Sequence, residues 1–286
     1  MHLALSTSIF EEPSVTLIAE QTARLGYEGL EVAAHAPHLT VDGGPAAARQ
    51  VRSALDDHGL VCPCLVTRSG GYSHLDDGAA ACQLELLQRH VALAHELGAP
   101  LIRQFSGGPS AADADADTWN RAISWFQRAA DLLESSRLTL LIETLPGSLC
   151  DSVAGAQRLI SAIDRPSVGL LLDPANMYAS GHAIGEHDIL LLARHIRYVH
   201  VKDLAPVSQD DSDGPGAEQR YRPALLGDGL LDYPAIILAL RNAGFTGFLA
   251  VEQGGHEPLL AARHTIAAIR ALLDRVAAQP PSQIVH

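Results

Sequence analysis

Hydrophobic positions follow two alternating rhythms along the chain: short, nearly continuous apolar runs, and longer stretches in which apolar residues recur every three to four positions. Eight of the short runs read as strands. The first four are LALSTS (Leu3 to Ser8), GLEVAA (Gly29 to Ala34), LVCPCLV (Leu60 to Val66) and LIRQFS (Leu101 to Ser106). The second four are LTLLIET (Leu138 to Thr144), VGLLLD (Val168 to Asp173), IRYVHVK (Ile196 to Lys202) and GFLAVE (Gly247 to Glu252). Between them lie SVTLIAEQTARLG, AACQLELLQRHVALAHELG, WNRAISWFQRAADLLESS and YPAIILALRNAG, which read as amphipathic helices, several of them closed by glycine. Strands without polar alternation are buried on both faces, which predicts a parallel sheet covered by helices. Eight such units close into a barrel, so the expected fold is α/β, a single-domain (β/α)8 TIM barrel over residues 1–276. An open doubly wound sheet is the alternative, but no GxGxxG follows the first strand.

Two segments break the rhythm. Leu204 to Leu226 contains SQDDSDGPGAEQ, polar, acidic and rich in glycine, as expected of a surface loop. Residues 277–286, AAQPPSQIVH, carry two prolines and form a predicted tail outside the barrel.

Composition adds constraints on partners. The 47% hydrophobic content of 286 residues is enough for one large core, and the formal net charge of −13 opposes nucleic acid and anionic membranes. The expected partner is therefore a small molecule. MHLALSTSIF lacks a basic leader region and no stretch of about 18 apolar residues follows, so a cytoplasmic protein is expected, not a membrane one. The four cysteines are too sparse for a disulfide framework, and Cys62 and Cys64 read as small core residues sharing one strand face.

Chemistry is concentrated at the ends of the last four strands. They finish on Glu143, Asp173, His200 and Glu252, and alternation sends Leu141, Leu171, Tyr198 and Ala250 inward beneath them. Three carboxylates gathered at a low-dielectric barrel mouth repel one another unless a cation compensates them. Three carboxylates and an imidazole suit a divalent metal. The oxygen-rich set favours Mn²⁺ or Mg²⁺, with Mn²⁺ the first expectation and Co²⁺ or Zn²⁺ also compatible.

The motifs LLIET, LLLDPANMYASG, YVHVKD and the last strand resemble the xylose isomerase-like TIM barrels. That family includes sugar-phosphate isomerase/epimerase-type proteins, ketose 3-epimerases, inosose isomerases and dehydratases, and endonuclease IV. The resemblance extends from LGYEGLEV through HELGAPLIRQFSGG to LGDGLLDYPAIILALRNAGFTGFLAVEQ. It implies Glu143, Asp173, His200 and Glu252 as metal ligands, Glu143 and Glu252 as the catalytic acid/base pair, and a homodimer as a common assembly. One position departs from the pattern. Many epimerases of the family show Asp-x-x-His on strand six, where the His touches substrate, whereas this chain has Asn176, which hydrogen-bonds but does not titrate near neutrality.

The expected reaction is proton transfer. A metal chelated by a carbonyl and an adjacent hydroxyl acidifies the C–H between them and stabilises an enediolate, and paired glutamates then carry the proton. Isomerisation or epimerisation of a sugar, keto-polyol or inosose follows from this scheme. Loss of a β-hydroxyl makes the same site a lyase, of the inosose or 3-dehydroshikimate dehydratase type or a C-glycoside-cleaving subunit. An endonuclease would need a richer ligand set and a basic groove, and a non-catalytic carbohydrate-binding barrel would bind without exchanging protons.

Secondary candidates surround the ring. Lys202 faces inward at the rim, either neutralising a substrate oxyanion or pairing with Glu143 or Asp173, and Asp203 points away, as a residue that orients a ligand. His35 lies after strand two at the catalytic rim, and Arg103 either clamps a substrate anion or forms an internal ion pair. Asn176 completes the expected substrate contacts. His74, His182 and His256 fall in loops on this face, Arg220 and Arg222 in the long loop, and Gly227-Asp228-Gly229 in a turn of structural character. Trp119 and Trp125 sit on a helix as core or subunit interface.

Overall fold

The order of elements in the computed structural model, which describes residues 1–207, 220–255 and 257–278, follows the predicted alternation. The first half comprises β1 (His2–Ser6), α1 (Val15–Leu25), β2 (Gly29–Ala33), α2 (Gly44–Asp57), β3 (Cys64–Gly70), α3 (Asp77–Leu97), β4 (Leu101–Phe105) and α4 (Ala116–Leu133). The second comprises β5 (Thr139–Glu143), α5 (Val153–Ile163), β6 (Val168–Leu172), α6 (Pro174–Ala179), α7 (Glu186–Leu192) and β7 (Ile196–Val201). It ends with β8 (Asp203–Pro206), β9 (Tyr221–Ala224), α8 (Tyr233–Asn242), β10 (Phe248–Val251) and α9 (Pro258–Ala277). Eight parallel strands, β1 to β7 and β10, form a closed barrel, sealed where Leu3 and Leu5 pair with Leu249 and Val251. The chain is a (β/α)8 barrel.

Local chemistry sets the helix boundaries. Ser14, Asp76, Asp115, Ser152 and Asp232 each accept a hydrogen bond from a first-turn backbone N–H, and Gly26 and Gly98 close α1 and α3 in the left-handed conformation. Alternation along each strand then divides the core in two. Leu140, Ile142, Leu170 and Leu172 face the helices, while Leu141, Leu171, Tyr198 and Ala250 join Ala4, Cys64 and Val66 in an apolar plug inside the barrel.

Strand ends shift by one or two residues from the sequence expectation, and three departures are larger or bear on the layout. The third strand starts at Cys64, not Leu60, because Pro63 has no N–H for the ladder, and only Val61 bridges to Gly29 before it. Cys62 consequently lies in the outer layer and Cys64 in the plug, both buried but on different faces. The predicted long loop is structured at its flanks: β8 and β9 pair antiparallel from Asp203 and Ala224 to Pro206 and Tyr221. Helix α9 continues through Ala277, the first residue of the expected tail, and residues 279–286 lie outside the described residues. Among the described residues no helix is long and apolar enough to cross a membrane.

Candidate metal centre

Four strands deliver four candidate ligands to one point. Glu143 ends β5, Asp173 follows β6, His200 lies on β7 and Glu252 follows β10. One ligand atom from each stands within 4.8 Å of all the others. Burial is unequal. Glu143 is 2% exposed and Asp173 and His200 are fully enclosed, while the Glu252 side chain is 16% exposed at the mouth.

His200 organises the cluster. Its Nε2 lies 3.0 Å from Glu31 Oε2, and its Nδ1 lies 3.3 Å from Glu252 Oε2, 3.4 Å from Glu143 Oε1 and 3.7 Å from Asp173 Oδ2. A proton shared with Glu31 occupies Nε2 and leaves the Nδ1 lone pair aimed at three carboxylates. Such an arrangement is repulsive unless a proton or a metal ion sits between them. Burial opposes a charged imidazole, but Glu252 and Glu31 outweigh it and hold the His200 pKa well above its usual value. His200 Nδ1 is buried without a hydrogen bond and faces carboxylate oxygens alone, as expected of an atom directed at a cation, whereas Glu143 Oε2 and Asp173 Oδ2 rest in ion pairs with Arg103 and Lys202. With His200 neutral, the form in which an imidazole binds a metal, the four carboxyl groups around the cluster, Glu31 included, face two basic side chains, Arg103 and Lys202, a deficit of two positive charges that a divalent ion matches. The residues therefore fit a divalent cation.

The basic side chains are engaged with the ring. Lys202 Nζ lies 2.7 Å from Asp173 Oδ2 and 2.9 Å from Glu252 Oε2. Burial disfavours the ammonium, yet Asp173 and Glu252 hold its pKa well above the usual lysine value. Burial likewise pushes Asp173 and Glu252 up, but Lys202 and His200 outweigh it and keep both carboxylates below their ordinary range. Arg103, inside the barrel, sets Nε 2.9 Å from Glu143 Oε2, donates Nη1 to Thr67 O at 2.5 Å and stacks on Phe105 at 4.1 Å. Of its two sequence readings, the internal ion pair is the one observed.

Asn176 and Asp203 hold backbone. Asp173 caps α6 by accepting from Asn176 N at 3.0 Å, and Asn176 Nδ2 donates to Glu143 Oε1 at 3.3 Å and Thr144 O at 3.1 Å. Asp203 does not orient a ring residue, contrary to expectation. Its chain leaves the barrel as β8, and its carboxylate accepts from the N–H groups of Leu204, Gly227, Gly229 and Leu231 at 2.8 to 3.2 Å. The Gly227-Asp228-Gly229 turn is thus structural. The orienting carboxylate is Glu31, which the sequence reading missed, although it is the one acid in the apolar run GLEVAA.

Among the described residues, the remaining candidates make no hydrogen bond or ion pair with the ring. His35 is half-buried and its Nδ1 contacts Ala36 O at 2.9 Å. His74 packs near Gly71, His182 lines a separate cavity with Asp151 and Arg158, and His256 lies outside the described residues. Arg220 and Arg222 are exposed beside and on β9. Trp119 and Trp125 are buried on α4, in the core.

A barrel with three carboxylates and an imidazole converging at its C-terminal mouth belongs to the barrels that carry their chemistry at strand ends. The model of the xylose isomerase-like TIM barrel family matches residues 19–272, and the chain belongs to that family. It is similar to 3-dehydroshikimate dehydratase of Bacillus anthracis, 23% identical over 250 residues that cover 85% of this chain and 86% of that protein. It is also similar to 3-oxo-isoapionate decarboxylase of Pectobacterium atrosepticum, 25% identical over 223 residues covering 78% and 71%. A solved structure of L-ribulose 3-epimerase shares the fold, with a TM-score of 0.78, 19% identity and coverage of 96% of this chain and 95% of that one.

Proposed function

We propose that the protein is a divalent-metal-dependent lyase that eliminates water from a hydroxy-ketone, with Glu143, Asp173, His200 and Glu252 holding the cation, Mn²⁺ by preference. The observation that carries this reading is the inequality of the two glutamates. Glu143 is enclosed, gripped by Arg103 and touched by Asn176, while Glu252 reaches the mouth with Lys202 beside it. Epimerisation needs proton carriers on both faces of one carbon. A syn elimination needs one, which takes the proton next to the carbonyl and returns it to the departing hydroxyl.

When bound, the cation would draw electron density from the substrate carbonyl and neighbouring hydroxyl and so acidify the C–H group between them. Glu252 is placed to accept that proton. As the C–H electrons form the new double bond, the C–O bond breaks, and Glu252 passes the proton to the leaving oxygen, which departs as water. The Lys202 ammonium balances the charge on Glu252 before and after this exchange, and the apolar plug keeps solvent from the floor of the site. The dehydratase and decarboxylase named among the relatives support a bond-cleaving reaction.

A single carrier also serves a 1,2-isomerisation, in which the proton moves between adjacent carbons, and product analysis separates the two. Inososes, ketoses and cyclic keto acids are incubated with enzyme and Mn²⁺ in D₂O. New enone absorbance that Glu252→Gln abolishes is expected. Deuterium incorporation without enone would replace elimination by isomerisation. Protein without stoichiometric metal, together with unchanged activity in Glu252→Gln, would sink both.

A further inference from the structure

Strand β3 does not run straight into the mouth. Its register with β4 shifts between Val66 and Gly70, where three residues of β3 oppose the single residue Gln104. The bulge is firmly built. Thr67 Oγ1 bonds Ser69 Oγ at 2.7 Å and donates to Arg103 O at 2.6 Å, and Gln104 Nε2 donates to Ser69 Oγ at 3.0 Å. Gly70, at φ +104°, closes it where a Cβ would lie 2.4 Å from Phe105 O.

Both hydroxyls of the bulge lie on the Gln104 side, so Arg68 between them is turned to the opposite side, the one that Cys64 and Val66 occupy lower in the barrel. It is exposed there, above the plug and next to the layer of Phe105 and Arg103. No described residue offers it a hydrogen bond or an ion pair. The other two basic side chains near the ring differ: Arg103 is held by Glu143, and Lys202 by Asp173 and Glu252.

We propose that Arg68 anchors a carboxylate of the substrate, so that the compound processed is a hydroxy-ketone bearing one carboxylate and not a neutral sugar. This rests on the lyase reading above and gives it a substrate class. A divalent ion balances the ring with Arg103 and Lys202 already engaged, and Arg68, exposed and without a described partner, is a positive charge free to meet an anionic substrate group. Its planar fork matches a carboxylate through two parallel hydrogen bonds. A phosphate, close to doubly charged at neutral pH, would leave charge uncompensated on a single guanidinium.

Binding tests this without turnover. Shikimate, a cyclic triol acid with no ketone to enolise, and its neutral amide are titrated calorimetrically into the Mn²⁺-loaded full-length protein, Arg68→Gln and Arg68→Lys. In the unmodified protein the acid is expected to bind about 10- to 100-fold more tightly than the amide, the range for charge-assisted hydrogen bonds. The preference should vanish in Arg68→Gln and return in part in Arg68→Lys, with Mn²⁺ affinity the same in all three. No preference in the unmodified protein, a preference that survives in Arg68→Gln, or tighter binding of inorganic phosphate than of shikimate would each overturn the assignment. The two proposals fail separately. Elimination confined to neutral compounds retains the lyase and removes the anchor, whereas an Arg68-dependent acid preference without elimination of any substrate retains the anchor and removes the lyase.

Discussion

Glu31→Gln isolates the contribution of the carboxylate behind His200. Glutamine keeps the shape and can still accept the Nε2 proton across the 3.0 Å contact, but it removes one negative charge from the cluster. Replacing a group that orients a metal-bound histidine typically weakens the metal by about 10- to 100-fold. At a Mn²⁺ concentration of about 100 times the unmodified Kd, binding stabilises the fold by about 2.7 kcal/mol, and the weakened site retains only about 0.4 to 1.4 kcal/mol. For a domain of this size the metal-induced rise in Tm should shrink by about 3 to 5 °C. Thermal unfolding with and without Mn²⁺ measures the increment, and calorimetric titration measures the affinity directly. An increment unchanged in Glu31→Gln but lost in Asp203→Asn would return the orienting role to Asp203 and refute the reasoning.

Three further outcomes follow from the same contacts. Gly229→Ala places a Cβ 2.1 Å from Asp203 Oδ1, so urea unfolding should show a loss of about 1 to 3 kcal/mol. Lys202→Met leaves Asp173 and Glu252 without their cation; the metal-free protein should lose about 3 to 5 kcal/mol, and added Mn²⁺ should stabilise it more than it does the unmodified protein. Burial, helped by Arg89, pushes His90 on α3 from its usual 6.5 down to about 4. The unfolded chain therefore takes up that proton first, so its contribution is whole above about pH 6.5 and falls by roughly 3 kcal/mol as the pH drops to 4. His90→Gln should flatten that window in pH-dependent unfolding, and an unaltered slope would count against the assignment.

Period-two alternation made the barrel and its ring legible. It set Glu143 above Leu141 and His200 above Tyr198 without knowledge of any contact, because strand ends at a barrel mouth converge whatever the loops do. Contacts between distant strands were not legible. Glu31 and His200 meet across 169 positions, and nothing local to GLEVAA says which strand its acid will face. Asp203 was misassigned because the chain turns out of the barrel one residue after Lys202, a break in direction that an apolar pattern does not record. The β3 bulge was hidden for a related reason: its register depends on the β4 strand it pairs with, and Thr67 to Ser69 read as ordinary strand end.

The plug of Ala4, Cys64, Val66, Leu141, Leu171, Tyr198 and Ala250 also governs traffic. It fills the barrel beneath the ring, so among the described residues the way to the ring is from the mouth, where Glu252 is partly exposed. Under the proposed elimination, a spent molecule must back out before the next one can approach, and the water released takes the same route. Product and substrate would then contend for one vestibule, and slow departure from it would limit turnover however fast the proposed chemistry.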